Sequence, residues 1–402
     1  MLRNRYVRVV MLSRILQQLG IWIRNFAILL YVTDLTHNDS RYVSLISVVE
    51  YAPILVFSFI GGTFADRWRP KLTMVWCDLL SAISVGLVLA ALSQSSWYVL
   101  LAGTFVSACI SQFSQPSAMK LYKNHVPGEM LQSVMALSQS LVAVFMVLGP
   151  MAGAFIFQQY GIVTSLVITG ILFGGSSLVL ILLPKDLEQS SSGTVSNFKE
   201  EMKAGLRYMW SNRSLRVLSW TFAVVGLAAG LTQPLALFVV TEKLGLHKEF
   251  LQWPLMANGA AMLVGGGVVM TLTNKVRPQT LLAAGLVISA LTTALIGAST
   301  IIAFSMMLMV INGLFYPCIQ IGIQTLIIKN TEAAYIGRVG GAITPVFSGM
   351  MVMGMFVSGY FKETTSLLTV YMTSGILLLL GTIILIPLWH NRPEVSLEAG
   401  VR

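Results

Sequence analysis

Long apolar runs separated by short polar connections dominate this chain. Each run contains about 20 or more residues, the length that an α-helix needs to cross the hydrocarbon core of a bilayer. The runs are continuous and do not alternate with a period of two residues, which excludes an outer-membrane β-barrel. The pattern predicts twelve transmembrane helices, near residues 7–32, 42–65, 72–92, 97–123, 131–158, 162–184, 214–241, 250–273, 280–299, 301–327, 336–361 and 366–390.

The composition agrees with a membrane protein. Hydrophobic residues make up 55% of the 402 and charged residues only 10%, whereas a soluble domain has about 25% charged residues. In lipid the backbone must satisfy its own hydrogen bonds, so long apolar runs become helices. The fold class expected is therefore an all-α membrane protein.

The net charge of +10 follows the predicted topology and does not indicate a nucleic-acid partner. With the N-terminus assigned to the cytosol, 20 of the 26 Lys and Arg residues lie on the cytosolic side, 4 lie outside, and Arg14 and Arg24 lie within the first span. An excess of basic residues in cytosolic loops is typical of membrane proteins. It predicts that both chain ends are cytosolic.

The sequence also repeats itself at an offset of 208 residues. Residues 66–70 align with 274–278, and the two ends of the first span align with the ends of the seventh. We therefore expect two pseudo-symmetric six-helix bundles, 1–184 and 214–402 with a short cytosolic tail, joined by a central cytosolic loop at 185–213. Rocking of such halves gives alternating access to a cavity between them.

Several polar residues fall inside the predicted spans. At about 100° per residue the first helix carries a polar stripe on one face, which cannot face lipid: Arg14, Gln17, Gln18, Arg24 and Asn25. Hydrogen bonding between helices is the alternative role for each amide.

Charges inside spans are costly and usually functional or paired. Glu50 and Arg24 are about equally far from the outer ends of adjacent antiparallel helices, so we expect them at one depth. They are the candidate proton-coupling residues, and a permanent structural ion pair is the alternative.

A loop motif carries a family resemblance. The run from Gly61 to Lys71 resembles the loop 2–3 signature of the major facilitator superfamily, Gly-x-x-x-Asp-Arg-x-Gly-Arg-Lys, and departs from it at Arg69-Pro70. The segment 199–208 and Pro116 with Val126-Pro127 are similar to the macrolide-efflux-like branch of drug:proton antiporters. The chain resembles a bacterial member of that branch. The resemblance implies a location in the cell membrane.

The resemblance implies three groups of residues. The loop would act as a conformational latch against the start of the eleventh span. The latch residues would be Gly62, Asp66, Arg67, Arg69, Lys71 and the nearby Asp78. A basic loop that only sets the topology is the alternative. Gly149, Pro150 and Gly153 resemble an export-associated Gly-Pro-x-x-Gly motif that bends a helix, although ordinary packing explains them equally well. In the family the first, fourth, seventh and tenth spans line the cavity, which adds Gln112, Gln115, Gln233, Asn312, Gln320 and Gln324 to the stripe.

Other chemistry has no support in the sequence. There is no Gly-x-x-x-x-Gly-Lys-Ser/Thr loop for ATP, and no catalytic or metal-ligating constellation. We therefore expect no enzyme, no cofactor and no metal. The expected function is proton-coupled efflux of amphipathic or hydrophobic small molecules by a monomer, with substrate, protons and the lipid bilayer as partners. An uptake symporter or lipid-type transporter is the alternative, and a non-transporting receptor or scaffold a third.

Overall fold

Helices form nearly all of the chain that the structure describes. The computed structural model describes residues 4–65, 69–92, 97–184, 198–272, 275–332 and 335–390, and the described side chains exclude 58–65, 198–202 and 389–390. The described residues contain no β-strand. The first helices are α1 (Arg5–Leu35), α2 (Ser40–Ala65), α3 (Pro70–Leu92), α4 (Tyr98–His125) and α5 (Gly128–Ile181). The later ones are α6 (Phe198–Ser211), α7 (Arg213–Thr232), α8 (Ala236–Phe238), α9 (Gln252–Leu272), α10 (Pro278–Ala298), α11 (Ile302–Lys329), α12 (Ile336–Thr364), α13 (Leu367–Ile384) and α14 (Ile386–His390).

The helices have the length and composition of transmembrane segments. Ten helical segments of the described chain are long and apolar enough to cross a membrane. One of them, α5, is two helices joined at Gly161, whose φ of 72° and ψ of −173° lie in a region open essentially to glycine alone. Counting α5 twice and adding the 28-residue α4 gives twelve. The expectation of an all-α membrane protein with twelve spans is confirmed.

Two segments differ from the predicted helices. The predicted span 214–241 is interrupted, because α7 ends at Thr232 and Pro234 cannot donate a backbone hydrogen bond. The chain then continues through α8 and a π-helical turn at Val239–Lys243. The predicted central loop contains a helix, α6, which the apolar pattern alone did not indicate.

The chain divides into two units. The first comprises Met1–Gly193 with His247–Gly259, and the second comprises Thr194–Leu246 with Ala260–Arg402.

In the first unit α5 packs along α1 through two glycines. A methyl group at Gly153 would lie 2.7 Å from Cβ of Phe26, and one at Gly149 would overlap the ring of Trp22. Small residues at such positions allow helix backbones to approach closely.

In the second unit α6 packs on the start of α12. A methyl group at Gly205 would lie 2.5 Å from the backbone oxygen of Arg338. The rings of Tyr208 and Tyr335 stack with centroids 4.3 Å apart. Met209 is buried in the main apolar cluster of this unit. These contacts fix α6 to the bundle of the second unit.

Candidate functional site

Four polar residues of α1, α2 and α4 form a hydrogen-bonded group inside the first unit, here called the Arg24 cluster: Arg24, Asn25, Glu50 and Ser107. Arg24 is 4% exposed and donates from Nη1 to Oγ of Ser107 at 2.6 Å and from Nε to Oδ1 of Asn25 at 3.0 Å. Asn25 in turn donates from Nδ2 to Oε1 of Glu50 at 2.5 Å. The structure thus joins the two predicted proton-coupling residues through an amide bridge.

This arrangement differs from a direct ion pair. Among the described residues no nitrogen of Arg24 lies within 4.0 Å of a Glu50 carboxylate oxygen. The guanidinium group also lies over the ring of Phe173, 6.0 Å from its centroid. Each charge therefore has neutral polar neighbours of its own, and the electrostatic attraction between the charges acts across Asn25.

A second polar group lies further toward the N-terminus of α1, here called the Asp78 cluster: Ser13, Arg14, Gln17, Asp78 and Ser176. Asp78 on α3 is 1% exposed and accepts from Nε2 of Gln17 at 2.9 Å and from Oγ of Ser176 at 2.5 Å. Arg14 donates from Nη1 to Oε1 of Gln17 at 3.2 Å. The hydroxyl of Ser13 lies 2.8 Å from that of Ser176.

Helical periodicity explains why α1 contributes to both groups. Gln17 and Arg24 are seven residues apart, which is about two turns or 10 Å along the axis. The polar stripe of α1 therefore faces the neighbouring helices of its own unit at two depths. A buried charge that accepts or donates several hydrogen bonds is tolerated where an isolated one is not.

The hydroxyl groups that bond Arg24 and Asp78 were not predicted from the sequence. Ser107 and Ser176 hold one charged group each, and both are almost fully buried. Single serines are common in transmembrane helices, and their hydroxyls often bond the carbonyl four residues before. Nothing in the local sequence separates these two from the other serines of the spans.

The latch residues are only partly described. Asp66 and Arg67, and the surroundings of Gly62, lie outside the described residues. Arg69 is exposed, directly before α3. Lys71 donates from Nζ to the backbone oxygens of Ile181, at 3.1 Å, and of Leu183. A cation at the end of α5 is favourable because the last carbonyls of a helix are unpaired.

The predicted cavity amides differ in exposure. Three half-buried ones are hydrogen-bonded within their own unit: Asn312 donates to Thr292 at 2.8 Å, Gln320 to the hydroxyl of Tyr316 at 3.0 Å, and Gln112 to the backbone oxygen of Ala108 at 3.4 Å. Gln18 is also half-buried, and Gln115, Gln233 and Gln324 are exposed on their unit. An exposed amide inside a span favours contact with water over contact with lipid.

The glycine motif of α5 makes a packing contact. Gly149, Pro150 and Gly153 are buried, and the two glycines face Trp22 and Phe26 of α1. Helix packing accounts for this geometry.

The described residues contain no group of three or more His, Cys, Asp or Glu side chains that could hold a metal ion. Cys77, Cys109 and Cys318 are free thiols within helices.

These features define a class of protein. A helical chain that crosses a membrane about twelve times and carries buried, hydrogen-bonded charges has the architecture of a polytopic membrane transporter. The family model described as Major Facilitator Superfamily matches residues 10–355. The chain belongs to the major facilitator superfamily.

Relatives sharpen the family assignment. The MFS-type transporter YkuC of Bacillus subtilis (strain 168) is 23% identical over 392 residues, covering 94% of this chain and 91% of that protein. Macrolide efflux protein A of Streptococcus pyogenes is 22% identical over 367 residues, covering 89% of each. The resemblance to the macrolide-efflux-like branch that the motifs suggested is confirmed.

A solved structure supports the fold. The crystal structure of a mutant of the nucleoside transporter NupG superposes with a TM-score of 0.78 at 12% identity, covering 96% of this chain and 100% of that one. At this identity the likeness concerns the fold alone.

Proposed function

We propose that the chain exports amphipathic or hydrophobic small molecules in exchange for protons, by alternating access. The similarity to macrolide efflux protein A supports export of such substrates. The observation that carries proton coupling is Glu50, an intramembrane carboxyl group whose described hydrogen bond comes from the neutral amide of Asn25. A carboxylate without a direct guanidinium partner can take a proton at a lower energetic cost than one held in an ion pair.

The Arg24 cluster provides two states for this exchange. In the ionised state Glu50 accepts from Asn25, and Asn25 is oriented by Arg24. A proton on Glu50 removes the charge that Asn25 and Arg24 stabilise, so the bridge weakens. The net charge of the cluster then rises by one unit. Conformations that differ in how far water reaches this cluster consequently change in relative population.

The orientation belongs to the same proposal. With both chain ends cytosolic, as the basic loops favour, Glu50 lies in the outer part of its helix and takes its proton from outside. The segment around Asp66 and Arg67 then closes the cytosolic side as a latch. The protein would work as a monomer in a bacterial cell membrane.

Transport in inside-out vesicles tests the proposal. An imposed pH gradient should drive accumulation of an amphipathic dye by the unchanged protein, and Glu50→Gln should abolish this while downhill exchange of the dye continues. Glu129→Gln is the matched control, because Glu129 is an exposed carboxylate at the first turn of α5. Dye movement in the opposite direction would indicate an uptake symporter instead.

A second variant separates coupling from structure. If Glu50 served only to neutralise Arg24, Glu50→Gln would leave a buried charge uncompensated, which typically costs about 3–5 kcal/mol. The double change Glu50→Gln with Arg24→Gln would then restore both stability and pH-driven export. That recovery would exclude Glu50 as the proton carrier.

A further inference from the structure

The two polar clusters of the first unit share one bonding pattern. In each, an arginine of α1 donates to the oxygen of an amide side chain of α1, and the nitrogen of that amide donates to a carboxylate on a neighbouring helix. The hydrogen bonds run from Arg24 to Asn25 and from Asn25 to Glu50 in one cluster. They run from Arg14 to Gln17 and from Gln17 to Asp78 in the other. The Asp78 cluster therefore has the geometry on which the proposed coupling at Glu50 rests.

The donors around Asp78 indicate which ligand the cluster fits. Gln17 and Ser176 both donate hydrogen bonds to its carboxylate oxygens. A sodium ion would have to replace these donors and would lie near the guanidinium group of Arg14, which repels it. A proton needs no such space, since it binds on a carboxylate oxygen and only weakens the bonds that oxygen accepts.

The charged and titratable groups near Asp78 lie on α1, α3 and α4. Arg14 on α1 acts on it electrostatically, and Cys77 is its neighbour on α3. Tyr122 on α4 acts electrostatically on Arg14. On α5 the facing group is the hydroxyl of Ser176. Arg14 is thus the one cation among the described groups that act on this carboxylate.

Tyr122 offers Arg14 a second partner. Tyr122 is 1% exposed, and its hydroxyl has no hydrogen-bond partner among the described residues. A buried hydroxyl without a hydrogen-bond partner is energetically unfavourable, because it has lost its bonds to water. An arginine that is released when Asp78 becomes neutral can satisfy this hydroxyl, so both protonation states of the cluster have hydrogen-bonding solutions.

We propose that Asp78 is a second proton-binding group of the chain, built like the first and placed about two helical turns from it along α1. This inference rests on the proposed proton-coupled export and extends it, because each cycle then includes two carboxyl groups at different depths. Protonation of Asp78 adds one positive charge to the cluster, loosens Gln17 and Ser176, and lets Arg14 turn to Tyr122.

Infrared difference spectroscopy of the purified protein in lipid nanodiscs tests the proposal without measuring transport. A protonated carboxyl group gives a C=O band that an ionised one lacks. Lowering the pH should produce one such band that disappears in Glu50→Gln and another that disappears in Asp78→Asn. Asp39→Asn is the control, because Asp39 is paired with the exposed Arg41 and belongs to neither cluster. This change should leave both bands as they are.

Ser176→Ala provides an independent variant that keeps the carboxyl group. Removing the hydroxyl that bonds Asp78 should shift the band of Asp78 and leave the band of Glu50 in place. This readout holds even where Asp78→Asn reduces the yield of folded protein.

The outcomes distinguish this inference from the proposed function. If Asp78→Asn and Ser176→Ala both leave the carboxyl bands as they are in the unchanged protein, Asp78 does not bind a proton and the inference is wrong, whatever Glu50 does. The proposed function fails separately, when Glu50→Gln leaves pH-driven export of the dye intact.

Discussion

The two copies of the internal repeat differ in their buried charges. At the offset of 208 residues, Asp78 corresponds to Leu286 and Arg14 to Phe222. Leu286 is fully buried in the apolar cluster of the second unit, and Phe222 packs against that cluster. The same helical scaffold is therefore stable with an apolar core at the depth where the first unit has a charged cluster.

The Arg24 cluster shows the same loss of charge. Arg24 corresponds to Thr232 and Glu50 to Asn258, so both charged members of the bridge become neutral in the second copy. Burying charges is unfavourable, and an apolar core of equal volume is often at least as stable. Stability of the fold therefore does not require these groups, which supports a functional reason for their presence in the first copy.

Glycine packing differs between the units as well. In the first unit the glycines of α5 face the side chains of Trp22 and Phe26 on α1, together with one backbone oxygen of α1. In the second unit glycines of α7 face the backbone of α12: a methyl group at Gly226 would lie 2.5 Å from the oxygen of Phe347. The second unit therefore depends more on direct contact between helix backbones.

Introducing a charge into the second unit should have the largest effect. Leu286→Asp places a carboxylate at the position equivalent to Asp78 but within an apolar cluster without its donors. We expect a loss of about 3–5 kcal/mol in the free energy of unfolding, the cost typical of an uncompensated buried charge. Unfolding in mixed detergent micelles measures it, with Leu286→Met as the control, for which less than about 1.5 kcal/mol is expected. A stable Leu286→Asp protein would show that the two units do not differ in this respect.

Much of the fold could be predicted from the sequence, because the helices follow from the length of the apolar runs. The break between the fifth and sixth spans was predictable as well, because the predicted spans 131–158 and 162–184 meet at Gly161, where the structure joins the two helices of α5 through one residue. Helix α6 could not be predicted from the apolar pattern. Its polar surface resembles a loop, and its packing on Tyr335 and Arg338 depends on residues more than 120 positions away.

The candidate site was predictable only in part. Charges inside spans identified Arg24, Glu50 and Asp78 as unusual, and helical periodicity placed Gln17 and Asn25 on the same face of α1. The bonds between them depend on how α2, α3 and α5 pack against α1, which no local pattern specifies. From its place near the cytosolic end of α3, Asp78 is expected in the charge network of the loop latch, and the structure shows it bonded to Gln17 and Ser176.

Two buried serines of α4 test whether the bond to Arg24, and not a buried hydroxyl as such, stabilises the first unit. Ser107 and Ser114 are 3% and 1% exposed, but only Ser107 accepts a hydrogen bond from Arg24, and the hydroxyl of Ser114 has no partner among the described residues. Ser107→Ala should lower the free energy of unfolding by about 1.5–3 kcal/mol, because a buried charged donor loses its partner. Ser114→Ala should cause no loss. Equal effects of the two changes on the unfolding transition would mean that the bond to Arg24 contributes nothing.

The smallest effects should come from added methyl groups, and they test the difference in glycine packing. In Gly230→Ala the new methyl group overlaps the backbone oxygen of Met351, so α7 and α12 must separate. We expect a loss of about 1–3 kcal/mol, as for other overpacked cores. In Gly149→Ala the methyl group meets the ring of Trp22, a side chain that can rotate, and the loss should be smaller. Gly266→Ala is the control, since no atom lies within 4 Å of its added methyl group, and alanine in a helix is favoured over glycine by about 0.5–1 kcal/mol.

The three unfolding transitions should therefore rank Gly266→Ala above Gly149→Ala and Gly149→Ala above Gly230→Ala in stability. A reversal of the last two would show that side-chain contacts in the first unit are as rigid as the backbone contacts in the second.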